Sequence, residues 1–426
     1  MTFDALWDSI LDVGREPTTG GYRRFAWNDA DLTLREWFTG CAEQRGMSVE
    51  EDRNGNLWAW WLPPGWSGDP KDAFVTGSHL DSVPDGGAYD GPLGVVSAFA
   101  AVDEVRARGI VPNRPVAVAA FSDEEGARFG VACVGSQLST GALKPPRALV
   151  LRDADGIPLG EALEKAGRDP RHLGVDPTLT DRVGVYVELH VEQGRALDLV
   201  DKPLAVASSI WPHGRWLFTF TGEANHAGAT RLVDRRDPML AYASSVHTAR
   251  QAAELHEAVA TFGKIRVLPN GANAIPSEVL AWLDARAADE DTLTGLVERI
   301  SGEALEHAAC DGVKLRIEAE SITPIVEFPP GPRDRIARAL GHLGDIPVLP
   351  TAAGHDAGIL SAVVPTAMLF VRNPTGVSHS PAEFALPDDC RAGAFALADV
   401  MAEWVTADET PDDEIPRSTP RIARLG

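Results

Sequence analysis

The sequence predicts an α/β fold with an at least partly parallel sheet, interrupted by a smaller α+β unit. Three observations point there. Short apolar runs stop abruptly at polar loops, helical patterns lie between those runs, and the rhythm changes between about residues 214 and 327. Alternation of strand and helix favours a parallel core, and in open sheets of that kind sites form at the carboxyl ends of strands.

The apolar runs cover residues 74–79, 115–122, 183–190 and 366–372, and helical patterns cover 91–108 and 160–166. The middle segment opens with the strand WLFTFTGEA, followed by a helical run over 237–256. Strands over 261–267 and 278–286, a helix over 291–307 and a strand over 313–318 complete it. That β-α-β-β-α-β order is the ferredoxin-like split βαβ unit. The expected division is therefore 1–212 and 329–426 for the large domain, with 213–328 inserted. The end, DETPDDEIPRSTPRIARLG, is rich in proline and charge and reads as a loosely held tail.

A chain of 426 residues is long enough for a large domain plus a smaller one. Hydrophobic residues make up 44% and charged residues 24%, an ordinary globular balance. The formal net charge of -23 repels nucleic acid and anionic membrane. No apolar run is long enough to span a bilayer, and the start, MTFDALWDSILDVGREP, lacks a basic-then-apolar leader, so a cytoplasmic address is expected. Cys41, Cys133, Cys310 and Cys390 are far apart and form no CxxC. Any metal ligands must then come from histidines and carboxylates.

Four clusters sit at or just past the apolar runs. In Gly77-Ser78-His79-Leu80-Asp81, a histidine at a strand end with a carboxylate two residues on suits a metal ligand and its orienter. Glycines around Asp90 let that carboxylate turn back to the strand end; the plainer reading is an Asp capping the next helix. Glu124 and Glu125 leave a buried run, which is costly without a compensating cation, although an acidic helix start is also common. His190, in ELHVEQ, and His379, in GVSHSPAE, complete the set. One such histidine is ordinary; three, with carboxylates from other strand ends, point to metal chemistry. The tryptophans at 58, 60, 61 and 66 read as packing.

GSHLDSVPDGGAYDGPLGV, FSDEEGARFG, ELHVEQG, GEANHAG, AGHDAG and GVSHSPAE together resemble the M20-type dinuclear metallopeptidase-like amidohydrolases. The resemblance is to the branch of N-carbamoyl-L-amino-acid hydrolases, β-ureidopropionases and allantoate amidohydrolases, and it covers nearly the whole chain. It implies a metallopeptidase-like catalytic domain whose inserted ferredoxin-like domain serves as a dimerisation lid. It implies two divalent ions (Zn, Mn, Co or Ni) bridged by Asp90, one completed by His79 and His190, the other by Glu125 and His379. Glu124 would be the general base and acid, and Asp81 would orient His79. His226 would stabilise the oxyanion from the partner subunit of a homodimer. Asn273 and Arg286 would hold the substrate's carboxylate, with Gln193 and His355 lining the pocket. Trp282, Asp284 and Arg286 share one strand face by period two; Arg286 could instead simply pair with Asp284. His190 departs from the peptidase relatives, which usually place a carboxylate there, and Gly228–Arg231 departs from a Thr-Pro-containing turn. Arg372 is open between a second carboxylate anchor and a surface residue.

The implied reaction is hydrolysis of the ureido bond of a small N-carbamoyl amino acid. Allantoate is the nearest alternative, followed by an aminoacylase or dipeptidase. A catalytically silent binding protein on the same fold is a further reading, against which the complete ligand set argues.

Overall fold

A computed structural model describes residues 2–66 and 72–407; the predicted tail at 408–426 lies outside the described residues. The chain divides into two compact units, Met1–Ser208 with Phe328–Gly426, and Ser209–Glu327.

The large unit is built on a mixed sheet. Seven of its strands run in the order Ser48–Glu51, Leu57–Trp61, Val116–Phe121, Ala73–His79, Val183–Val191, Thr366–Val371 and Leu204–Ile210, and short strands Val326–Glu327 and Val348–Thr351 pair with the last. The four strands from Val116–Phe121 to Thr366–Val371 are mutually parallel, with antiparallel strands flanking them. All four parallel strands are almost continuously buried, as strands covered on both faces must be. Helices Pro92–Ala107 and Pro387–Thr406 pack on each other and on the sheet, and their apolar residues form the main core with Val187, Leu189 and Leu369. Gly77 lies where a Cβ would stand 1.9 Å from the Ala119 carbonyl of the next strand, so only glycine allows these strands to pair there. Trp58 and Trp60 are buried and stacked on each other, as packing residues.

The small unit carries a four-stranded antiparallel sheet in the order Lys314–Thr323, His213–Thr221, Glu278–Arg286, Val259–Leu268. Val279, Ala281, Leu283 and Ala285 are buried, while Leu280, Trp282, Asp284 and Arg286 between them are only partly so. The buried face meets helices Pro238–Leu255 and Glu290–Cys310 in a core of its own. A two-stranded ladder, Asn225–His226 with Ala274–Ile275, pairs His226 with Ala274. Segments this short carry no periodicity, so the sequence gives no sign of it.

Candidate metal centre

The candidate ligands gather at the carboxyl ends of the parallel strands. Ala73–His79 ends on His79, and Val116–Phe121 runs directly into the segment that holds Glu124 and Glu125. His190 is the penultimate residue of Val183–Val191, and Thr366–Val371 leads into the loop bearing His379. Asp90 precedes helix Pro92–Ala107 at Gly91, whose φ is +85° and where a Cβ would stand 2.4 Å from the His79 ring. Only glycine lets that turn lie against the imidazole. Asp123, Cys133 and His379 also hold left-handed backbone, an arrangement costing roughly 1–2 kcal/mol for each such residue. Strain of this kind concentrates at sites whose surroundings enforce it.

Asp90 is shared by two groups of ligand atoms. One comprises His79, Asp90 and His190, the other Asp90, Glu125 and His379, and within each group the atoms lie within 4.8 Å of one another. Asp90 Oδ1 is 3.5 Å from His79 Nε2 and 3.2 Å from His190 Nε2, whereas Oδ2 is 3.4 Å from His379 Nε2. Glu125 Oε2 stands 3.6 Å from His379 Nε2. His190 Nδ1 faces the Val191 carbonyl at 2.9 Å, which makes it a protonated nitrogen and turns Nε2 inward toward Asp90. Glu124 Oε2 lies 3.6 Å from His79 Nε2, beside the first group.

Electrostatics show what this cluster can hold. Burial pushes Glu124 well above the ordinary carboxylate range and Glu125 up to about 8. Burial would raise Asp90 too, but the three imidazoles around it hold it well below its ordinary value. Burial opposes a proton on His79, yet Glu124, Asp81 and Asp90 draw its pKa well above 6.5, and the Asp90 hydrogen bond lifts His379 to about 9. Glu124, Glu125 and the imidazoles are thus driven to take up protons, while Asp90 between them stays ionised. His79 Nε2, His190 Nε2 and Glu125 Oε1 are buried and have no hydrogen-bond partner among the described residues. Buried polar atoms are rarely left so, and a divalent cation would satisfy them.

The surroundings hold these ligands firmly. Asp81 sits 3.4 Å from His79 Nδ1, and its two oxygens accept the backbone N–H groups of Glu124 and Glu125 at 3.1 and 3.0 Å. It therefore links both strand ends, a role the sequence did not suggest. Glu383 Oε1 accepts the N–H groups of Tyr89 and Asp90, and Ser378 Oγ donates to Glu383 and Asp90. Glu188, His190 and His355 form a third group of close donors. Glu188, however, already accepts from Ser78 Oγ at 2.7 Å and from Ala357 N at 2.9 Å. Its carboxylate braces the strand end. Gln193 Nε2 donates to Asp90 Oδ2 at 2.6 Å, and the buried His355 ring packs edge-on against His190 at 4.4 Å. Arg372 forks onto Asp389 and also reaches Asp201, so the structure makes it an ion-pair residue.

The family model for peptidase family M20/M25/M40 matches residues 75–403, a span that includes every ligand of both groups. The chain belongs to that family. It is 37% identical over 400 residues to an N-carbamoyl-L-amino acid amidohydrolase of Geobacillus stearothermophilus, covering 92% of this chain and 96% of the relative. An allantoate amidohydrolase of Escherichia coli is 29% identical over 397 residues, with 91% and 94% covered. Among solved structures, an amidase of the hydantoinase/carbamoylase family from Burkholderia vietnamiensis superposes with a TM-score of 0.85 at 30% identity, covering 95% of this chain and 97% of that one. M20 enzymes are hydrolases that typically use divalent metal ions, and the donor set of this member fits such ions. No described helix is long and apolar enough to cross a membrane.

The remaining candidate residues lie in the small unit of this M20 member. His226 is exposed, and its Nδ1 accepts the N–H groups of Gly228 and Ala229 at 3.0 and 3.1 Å. That fixes the neutral tautomer with Nε2–H as donor. The turn at Gly228 and Ala229 is what supplies these two N–H groups. Asn273 is exposed, and its carbonyl accepts from Ala227 N at 3.0 Å. Arg286 donates to both oxygens of Asp284, at 2.8 and 3.1 Å, on the partly exposed strand face. The plainer pairing considered for Arg286 is thus present in the structure.

Proposed function

We propose that this M20 member hydrolyses the ureido carbon–nitrogen bond of N-carbamoyl-L-amino acids, releasing the amino acid, carbon dioxide and ammonia. The observation that carries this reading is Asp90, whose two oxygens face two separate ligand groups while Glu124 stands beside one of them. The relatives named for N-carbamoyl-L-amino acids support the substrate class. His79, Asp90 and His190 would hold one divalent ion, and Asp90, Glu125 and His379 the other. Bound there, the ions supply Lewis acidity toward the scissile carbonyl and the attacking water.

Glu124, whose Oε2 stands beside His79, takes a proton from that water and delivers it to the leaving nitrogen. Asp81 keeps His79 and the Glu124–Glu125 backbone in register. His226, as a neutral Nε2–H donor, stabilises the oxyanion from the partner subunit of a homodimer joined through the inserted domain. Its exposure and pinned tautomer support that role. Arg286 and Asn273 hold the substrate's carboxylate, Arg286 with Asp284 keeping its fork oriented. Gln193 and His355 border the substrate beside Asp90 and His190. Allantoate is the second reading, since relatives named for it match over most of the chain.

The test is product release by metal-reconstituted protein on N-carbamoyl-L-amino acids, ureidopropionate, allantoate and N-acetyl amino acids. Ammonia from an N-carbamoyl-L-amino acid with the highest kcat/KM is the expected result. Ammonia chiefly from allantoate selects the second reading. Free amine from acetyl compounds alone overturns both.

A further inference from the structure

We infer that Cys133 is a positioning residue for the hydrolytic reaction: its thiol donates to Glu124 and fixes which carboxylate oxygen faces the reacting atoms. The inference rests on the reading of Glu124 as the base. Cys133 Sγ lies 3.3 Å from Glu124 Oε1, and Glu124 Oε2 is the oxygen turned toward His79 Nε2. A carboxylate gripped on one oxygen presents the other at a fixed place.

Three features make this more than a chance contact. The backbone of Cys133 is bonded to the same residue, its N–H donating to the Glu124 carbonyl at 2.7 Å. Val134 N to the Asp123 carbonyl and Gly135 N to the Ser122 carbonyl extend that pairing, so residues 122–124 and 133–135 lie side by side. Next, Cys133 holds φ 53° and ψ 39°, a left-handed conformation for which glycine or asparagine is the comfortable occupant. A β-substituted residue is uncommon in this conformation, and here its Sγ is directed at the carboxylate. Finally, burial and the neighbouring Glu124, Asp356 and Glu188 charges hold the thiol well above its ordinary pKa, so it stays protonated as a donor. Cys133 is 5% exposed, and among the described residues it belongs to none of the three groups of close metal-ligand donors.

Glycine suits this backbone, so Cys133→Gly removes the thiol while relaxing the turn, and Cys133→Ser restores a donor in the same place. The test measures kcat, KM, bound metal and thermal midpoint for both variants, with wild type and Glu124→Gln in the same assay. The expected result is a kcat about tenfold lower in Cys133→Gly, with KM, metal content and midpoint near wild type. Cys133→Ser should keep kcat within about threefold of wild type. A wild-type kcat in Cys133→Gly overturns the inference, as does a Cys133→Ser rate as low as that of the glycine variant. If Glu124→Gln itself keeps full activity, the reading of the base fails and carries this inference with it. A dead Glu124→Gln beside an unaffected Cys133→Gly defeats the inference alone.

Discussion

The candidate ligands and the small-unit residues offered to the substrate are built in opposite ways. Most of the metal cluster is buried, namely the ligands His79, Asp90 and His190 with the base Glu124; Glu125 is partly buried and His379 is exposed, and Asp81, Glu383 and Glu188 brace the backbone or side chains around them. His226 lies on a two-residue ladder and Asn273 in the turn just before its other strand, both exposed and held mainly by local turn bonds. Metal binding needs a cluster fixed before any ion arrives, because desolvated charges are tolerated only where partners stand ready. Oxyanion and carboxylate recognition can reside on a surface that is completed when substrate or a partner chain covers it. The contrast predicts that substitutions in the first region act on metal, base or stability, and in the second on turnover and substrate alone.

The largest expected effect is on Glu124. Glu124→Gln should retain its metal and lose about 10²–10⁴ in kcat, as removal of a general acid–base does; near-normal turnover would remove Glu124 from the mechanism. His226→Ala comes next, with kcat down about 10²–10³ and the thermal midpoint unchanged, since the ring is exposed. A lowered midpoint without loss of kcat would make His226 a structural residue and erase the contrast. Arg286→Gln should raise KM by about ten- to a hundredfold with little change in kcat, measured by steady-state kinetics on the carboxylate substrate. Arg372→Ala should do the reverse, costing about 1–3 kcal/mol in denaturant unfolding by leaving Asp389 unpaired, with KM untouched.

A further prediction sharpens the electrostatic side. In metal-stripped protein His379 should keep its proton up to about 9 and Glu125 up to about 8, so an entering cation must displace protons. Apparent metal affinity should therefore rise as pH climbs toward those values. Below them it should fall by about tenfold per pH unit for each proton displaced, which calorimetric titration at several pH values would read. An affinity flat from pH 6 to 9 would mean that these groups do not bind the metal.

Much of the large unit was legible because its strands are apolar runs that stop at polar residues. The runs expected at 74–79, 115–122, 183–190 and 366–372 are observed as Ala73–His79, Val116–Phe121, Val183–Val191 and Thr366–Val371. Glycines beside Asp90 signalled the turn that Gly91 makes against His79. The supports were not legible. Glu383 holds the backbone of Asp90 from 293 residues away, and Asp81 caps Glu124 from 43 residues away. No local pattern records such pairings, since they exist only once parallel strands bring distant loops together. Cys133 was invisible for a related reason: a single cysteine carries no spacing, and its meaning lies in a left-handed backbone that sequence does not display. Arg372 stayed ambiguous because its partners, Asp201 and Asp389, are likewise remote.

Metal stoichiometry tests the shared role of Asp90 most directly. Stripped protein reloaded with Mn, Co, Ni or Zn, freed of excess ion and analysed by elemental mass spectrometry, should hold two ions per chain. Asp90→Asn, similarly folded by circular dichroism, should hold neither at the same concentration and release no ammonia from an N-carbamoyl-L-amino acid. Wild-type protein with a single ion, or an Asp90→Asn variant that keeps both ions and full turnover, would contradict a centre built on Asp90.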